Sequence, residues 1–305
     1  MTDKLMPLDE AIRRFVPDGA SIALGCALEP LIPFAAGHEL IRQGKRDLTL
    51  IGPISDILFD QLIGAGCVAR VIAAWIGNVS EGLGYNYRRA AEHAQPRPLA
   101  IEDHSNYSIG LALLAAALGV PYIPMRSLLG SDIARDHPTI RPAPSPFGGE
   151  PTLLVPALQP DVAILHVQRA DRFGRAHVWG GLGVCEEAAL AARGVIYTAE
   201  EIVTPDVILS DPNRVLAPEM KTLAVVHVPG GAHPAPVQGY YNRDHATFAE
   251  YHQASRTPDG FAAWLREWVL DVSDREAYLA RLGATRWQAL AAREPRLAAP
   301  VDYGY

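Results

Sequence analysis

The chain has 305 residues, of which 49% are hydrophobic and 20% charged, and 34 acidic side chains against 27 basic ones give a net charge of −7. This excludes wholesale disorder and leaves room for one large α/β domain or two small ones. It also excludes general nucleic-acid binding, which runs on clustered Lys and Arg; the only lysines are Lys4, Lys45 and Lys221. Cys26, Cys67 and Cys185 are far apart, odd in number and in no CxxC pair, which fits a reducing compartment and argues against a zinc knuckle. The N-terminus carries acids and no long apolar stretch, so it is not a secretory signal. The most apolar segment, Ile109 to Met125, is broken by Gly110, Gly119, Pro121 and Pro124, so it predicts a buried helix and a strand rather than a membrane span. The expected location is the cytoplasm.

In chain order, Leu5, Leu8, Ile12, Phe15 and Val16 recur at helical spacing before a turn at Pro17-Asp18-Gly19. Ser21–Leu24 is a short apolar strand ending in Gly25. Leu31–Gln43 predicts a helix with Gly44 after its end, and Asp47–Ile51 the next strand. Helix Asp56–Leu62, ended by Gly64, leads to strand Val68–Ala74. Helix Arg88–Ala94, strand Leu99–Ile101, helix Tyr107–Leu118 and strand Val120–Pro124 follow. Strands apolar on both faces, alternating with helices, predict a doubly wound, mostly parallel sheet with helices on both faces.

Residues 136–151 are rich in Pro and Gly and predict a long loop within a single domain spanning 1–305. Asp161–Val167 and Arg175–Trp179 are expected to pair across the turn at 171–174. Helix Glu186–Arg193 and strands Val195–Thr198 and Thr222–Val228 come next. Helices Phe261–Leu270 and Arg275–Leu282 fall in a C-terminal helical segment, 258–292.

The chemistry-bearing motifs are sparse. Ten histidines include no HxxxH or HExxH spacing, so no metal site is expected. Gly64-Ala65-Gly66-Cys67-Val68-Ala69 fits GxGxxA, but it follows a helix and precedes a strand, the reverse of a dinucleotide site. There is neither a phosphate loop nor a GxSxG elbow. Cys26, after the first strand, is a thiol candidate, with a small buried filler as the alternative. Among carboxylates, Glu81, Glu102, Asp103, Glu186 and Glu187 fall near element ends, and spacing does not choose between them.

A series of segments carries a resemblance. They are Asp18 to Ala27 with Pro30 and Pro33, Ile41–Leu48, Glu102–Ser105, Ala115–Pro124, Asp161–His166 with Trp179-Gly180-Gly181, Gly231–Pro234 and Glu267–Arg286. In this order they resemble the α subunits of class I coenzyme A transferases, the glutaconate type most of all. Where that family has Gly-Gly-Phe, this chain has Gly25-Cys26-Ala27, which frees volume for a different or bulkier acyl group.

The resemblance implies transfer of CoA from an acyl-CoA to a small carboxylic acid, with acyl-CoA as substrate and no permanently bound cofactor. A glutamate attacks the thioester, and a glutamyl-CoA thioester follows. In two-subunit members that glutamate lies on a β subunit, in a Ser-Glu-Asn-Gly type of motif absent here. This chain is therefore expected to be inactive alone, to need a β partner of the same fold (α2β2 or larger), and to bind neither nucleic acid nor membrane. Substrate contacts are expected from Gly25, Cys26, Asn78, Ser80, Gly231 and His233.

Two rivals remain. Steroid-degrading relatives open a ring of an acyl-CoA with water, using a glutamate in the region of Glu102–Tyr107; the alignment puts it nearer Asn106 than Glu102. A non-catalytic sugar-phosphate-sensing module shares a related fold but calls for a basic phosphate loop, and no lysine lies in a glycine-rich loop here.

Overall fold

Each central strand sends alternate residues to two buried faces. Ile22, Leu24, Leu50, Val71, Ile164 and Ile196 pack into one core, while Ala23, Ile51, Ile72, Leu165 and Tyr197 pack into the other. This is why the strands read as unbroken apolar runs in the sequence. The structure, a computed structural model, describes residues 2–292. Met1 and 293–305, part of the expected 1–305 domain, lie outside the described residues.

The first half contains α1 (Leu8–Phe15), β1 (Ser21–Ala23), α2 (Phe34–Arg42), β2 (Leu48–Gly52), α3 (Asp56–Gly64) and β3 (Val68–Ala73). A small hairpin, β4 (Gly77–Asn78) and β5 (Gly82–Leu83), precedes α4 (Tyr85–His93), β6 (Ala100–Asp103) and α5 (Asn106–Leu118). Then come β7 (Tyr122–Met125), α6 (Asp132–Asp136), β8 (Arg141–Ala143), β9 (Thr152–Pro156), β10 (Val162–Ala170), β11 (Ala176–His177) and α7 (Cys185–Ala191). The chain continues through β12 (Gly194–Ile202), α8 (Pro205–Leu209), β13 (Thr222–His227), α9 (His245–Ser255), α10 (Pro258–Leu265), α11 (Arg275–Leu282) and α12 (Ala284–Ala289).

The main sheet runs in the order β13-β12-β10-β1-β2-β3-β6, with every pair parallel; β11 adds antiparallel to β10 through Arg169–His177 and Ala170–Ala176. The doubly wound parallel expectation and the 171–174 turn both hold. From β1 the chain winds outward to β6, then returns to β1's other side at β10. The switch point therefore lies between β1 and β10, and open α/β sheets bind ligands outside the carboxyl ends of strands at such a point. No helix among the described residues is long and apolar enough to cross a membrane.

Several expectations are corrected. The strand expected at Val120–Pro124 forms as Tyr122–Met125 and leaves the parallel sheet. It pairs antiparallel with β9 in a separate three-stranded sheet, β7-β9-β8. Pro124 lacks an N–H, and the edge position of β7 tolerates that. The loop expected at 136–151 contains β8, and β9 has no counterpart in the sequence-derived elements. The helix expected from Leu31 starts at Phe34, because Leu31 has φ +57 and Pro33 caps the helix. Gly64 is the last residue of its helix, and Gly66 (φ +78) makes the reversal. The helix expected over Phe261–Leu270 ends at Leu265 and continues as a π turn, Arg266–Leu270.

Candidate functional site

The carboxyl ends of β1 and β2 meet at Gly25. It has φ +63, and a Cβ there would lie 1.9 Å from Ser55 Oγ. Glycine is required twice over, for the left-handed backbone and for the close approach. Ser55 Oγ donates to the Leu24 carbonyl at 2.9 Å and holds the two strand ends together. The next turn is strained: Leu28 (φ +75) and Leu31 (φ +57) are left-handed, as is Asp56 (φ +45) at the start of α3, after the neighbouring strand. Bulky or acidic residues in that region store strain, and such strain clusters at functional sites.

Cys26 lies at the expected place but is a filler there. It is 1% exposed, and burial, helped by the Glu187 charge, pushes its thiol up to about 12. Its carbonyl accepts from Val184 N at 2.7 Å, and a Cβ on Gly183 would come within 2.2 Å of that oxygen. The loop of Trp179 to Gly183 is thereby fastened over the switch point.

Asn78 and Ser80 follow β3 at the same edge and divide the work. Asn78 Nδ2 donates to Phe248 O at 2.8 Å, and its Oδ1 accepts from Ser80 N at 3.1 Å and Glu81 N at 3.2 Å. That side chain is fully engaged and shapes the loop. Ser80 is exposed, and its Oγ accepts from Arg243 Nη2 at 3.0 Å. The same Nη2 donates to Asp56 Oδ2 at 2.6 Å, and Val79 N donates to Asp56 Oδ1 at 3.1 Å. Burial raises the pKa of Asp56, with the Arg243 charge opposing. Arg243 lies 3.6 Å over the Phe248 ring, and its Nη1 approaches Glu29 Oε2 at 3.9 Å.

Gly231 and His233 belong to the loop after β13. Gly231 N donates to Val228 O at 3.0 Å and its carbonyl accepts from Ala35 N at 2.9 Å. His233 is fully buried: Nε2 meets Asp244 Oδ2 at 3.0 Å and Nδ1 meets Tyr278 OH at 2.9 Å. This network places the imidazole proton on Nε2 with Tyr278 donating to Nδ1. Burial, which outweighs the Asp244 hydrogen bond, lowers His233 to about 4. Asp244 in turn accepts from Arg286. Both ring nitrogens are engaged, so His233 anchors the loop.

Glu102 sits at the carboxyl end of β6, three strands and about 14 Å from β1. It is buried, ion-paired to Arg70, 3.3 Å from His104 Nε2 and 3.5 Å from Thr139 Oγ1. The His104 hydrogen bond, resisted by burial and aided by Arg70, holds it down at about 2. A carboxylate so engaged is a poor base and a poor nucleophile. Asn106, the other position weighed for hydrolysis, is the first residue of α5.

His137 joins Glu102 and His104, and one donor atom from each lies within 4.8 Å of the others. The spacing rules overlooked this cluster because His137 arrives from a distant loop. Its chemistry does not suit a cation. His137 Nδ1 accepts from Thr139 N and Ile140 N, so the proton sits on Nε2, the nitrogen that faces the cluster. Arg70 already neutralises Glu102.

Asp56, Arg243 and Glu29 were not singled out from the sequence. An acid at a helix start is commonplace, and Arg243 lies in a stretch without periodicity. A buried centre was missed too: Glu200 accepts from His166 at 2.7 Å, Tyr241 at 2.7 Å and Gly230 N at 2.8 Å.

The family described as coenzyme A transferase matches residues 5–227. The chain is 40% identical over 279 residues to the A subunit of 3-oxoadipate CoA-transferase from Pseudomonas knackmussii, covering 92% of this chain and 98% of that protein. It is 36% identical over 299 residues to the A subunit of glutaconate CoA-transferase from Acidaminococcus fermentans, covering 93% of each. The crystal structure of glutaconate coenzyme A-transferase from that organism superposes with a TM-score of 0.89 at 35% identity, covering 95% of this chain and 96% of that chain. A cholesterol ring-cleaving hydrolase subunit of Mycobacterium tuberculosis is similar at 28% identity, over 94% of this chain and 100% of its own length. Sequence and fold agree with the A subunits of transferases along nearly the whole length, and the hydrolase is similar in sequence at lower identity, so the chain belongs to the coenzyme A transferase family and takes its place among the A subunits.

Proposed function

We propose that this chain is the α subunit of a cytoplasmic transferase that moves CoA from an acyl-CoA to a free carboxylic acid through a glutamyl-CoA thioester on a β subunit of the same fold, in an α2β2 or larger assembly. The superposition on glutaconate coenzyme A-transferase, at a TM-score of 0.89 over 95% of the chain, carries the reading. The state of Glu102 supports it: the carboxylate a hydrolase would need is ion-paired to Arg70 and remote from the switch point.

The partner's glutamate adds to the thioester carbonyl and expels CoA thiolate, leaving a mixed anhydride. The thiolate then adds to the glutamyl carbonyl and releases the first acid as its carboxylate. The acceptor carboxylate reverses the two steps. This chain would wall the anhydride from water with the tightly packed loops of Gly25–Leu31 and Trp179–Gly183, and would offer the substrate groups near Gly25, Cys26, Ser80 and Gly231. Asn78 and His233 would support that wall from behind.

The test is intact mass of the complex incubated with acyl-CoA and no acceptor. A CoA adduct on the partner, and none on this chain, is expected. An adduct on this chain, or steady hydrolysis with no adduct, would overturn the assignment.

A further inference from the structure

The guanidinium of Arg243 is held but not used up. Asp56 and Ser80 take one edge through Nη2, and the Phe248 ring supports one face. The side chain is 10% exposed, and Nη1 is buried without a hydrogen-bond partner among the described residues. A buried cationic donor left unpaired is costly unless something arrives to pair with it. The group approaching it is a carboxylate: Glu29 Oε2 stops 3.9 Å away, beyond hydrogen-bond length, on a side chain that is 54% exposed and free to swing out. Glu29 also lies in the strained turn that leaves β1 at the switch point, between Leu28 and Leu31.

We propose that Arg243 receives the second, non-reacting carboxylate of a dicarboxylic substrate, which displaces Glu29 from Nη1. This rests on the transferase reading. The reacting carboxylate must stay free to attack the glutamyl-CoA thioester carbonyl on the partner, so a fixed cation on this chain serves the far end of the substrate. Asp56 and Phe248 set the plane of the fork, so the ligand does not have to order it, and a planar fork suits a carboxylate better than an ammonium does. Arg243 is thus a specificity-determining residue for diacids.

The experiment uses the α/β complex and compares kcat/KM for succinate against butyrate and for glutarate against pentanoate. The wild type should favour the diacid by about ten- to hundredfold, the range for one hydrogen bond to a charged group. Arg243→Gln should erase most of that ratio and Arg243→Lys part of it. An equal loss for diacid and monoacid would mean a purely structural role and would overturn the proposal, as would a wild type without preference. Glu29→Gln covers the case in which Arg243→Gln does not assemble: freeing Nη1 should raise the diacid preference about threefold, and an unchanged ratio counts against the proposal. If the wild-type complex transfers CoA to no acid and only hydrolyses acyl-CoA, the transferase reading itself fails and this inference falls with it. If transfer is normal and only the ratios stay put, this inference alone fails.

Discussion

Asp56 and Glu102 are both buried acids at the carboxyl edge of one sheet, and each is paired to one arginine, yet their environments push them opposite ways. Glu102 is surrounded by Arg70, His104 and Thr139, and its pKa falls to about 2. Asp56 has Arg243 and one backbone N–H, and burial raises it. The cation tells the same story from the other side. Arg243 keeps a spare donor, while Glu102 is engaged at both oxygens. On the proposal above, the edge near the switch point accepts a ligand, whereas the acid at the β6 edge already has both oxygens engaged.

The strongest test of that contrast is Gly25→Ala. The left-handed φ and the 1.9 Å approach to Ser55 Oγ cannot both survive a Cβ. A loss of about 3 kcal/mol is expected from strain plus overpacking, read from the urea midpoint at constant m. A neutral result would mean that the turn is pliable and the shelf not preformed.

Acid should separate the two regions. His233 is lowered in the fold to about 4 from an ordinary 6.5, so between those values the unfolded chain binds more protons. Stability present above pH 6.5 should fall as pH drops to about 4, by on the order of 3 kcal/mol; His233→Gln should flatten that slope. Glu102 acts later: its contribution is present above about 4.5 and lost as pH falls through about 2. Solvent screening at the half-exposed Arg70 limits it to about 1–2 kcal/mol. Hydrogen exchange that reported loosening around Glu102 before the loop of His233 would reverse this order.

Glu102→Gln sharpens the comparison on the side of activity. It keeps the shape of the side chain, so transfer by the assembled complex should stay within about twofold of wild type. Complete loss of turnover in an intact complex would make Glu102 a working group and the β6 edge the active one.

The parallel sheet was legible because strands such as Ser21–Ala23 and Leu48–Gly52 bury both faces and so show unbroken apolar runs. The antiparallel sheet at β7-β9-β8 was not: prolines obscure its strands, and pairing between Tyr122–Met125 and Thr152–Pro156 leaves no local signal. At the site, Gly25 was legible from the strand that ends on it. Arg243 and Asp56 are 187 residues apart in the chain, so no spacing rule connects them. His233 and Asn78 were expected as substrate contacts, but a sequence does not distinguish a polar side chain facing a ligand from one held by distant groups of the same chain, as Asn78 is by Phe248 and His233 by Asp244 and Tyr278.

Cys26 is the case where the smallest effect is expected and where the sequence left the choice open. A reactive thiol at a strand end needs a depressed pKa and access. Cys26 is 1% exposed and raised to about 12, and the neighbouring Cys185 is also buried and raised. At pH 8 almost none of it is thiolate, so iodoacetamide should leave Cys26 unmodified in the native protein over a time that fully labels the urea-unfolded chain. Cys26→Ala removes one small sulfur from a packed turn and should change kcat/KM by less than about twofold, with a stability cost of about 1 kcal/mol. Rapid native labelling at Cys26 would show that the turn from Gly25 to Leu31 opens. The tight packing of Val184 and Gly183 against the Cys26 carbonyl would then be only one state of a mobile shelf, and the contrast with the closed β6 edge would become one of dynamics as well as of charge.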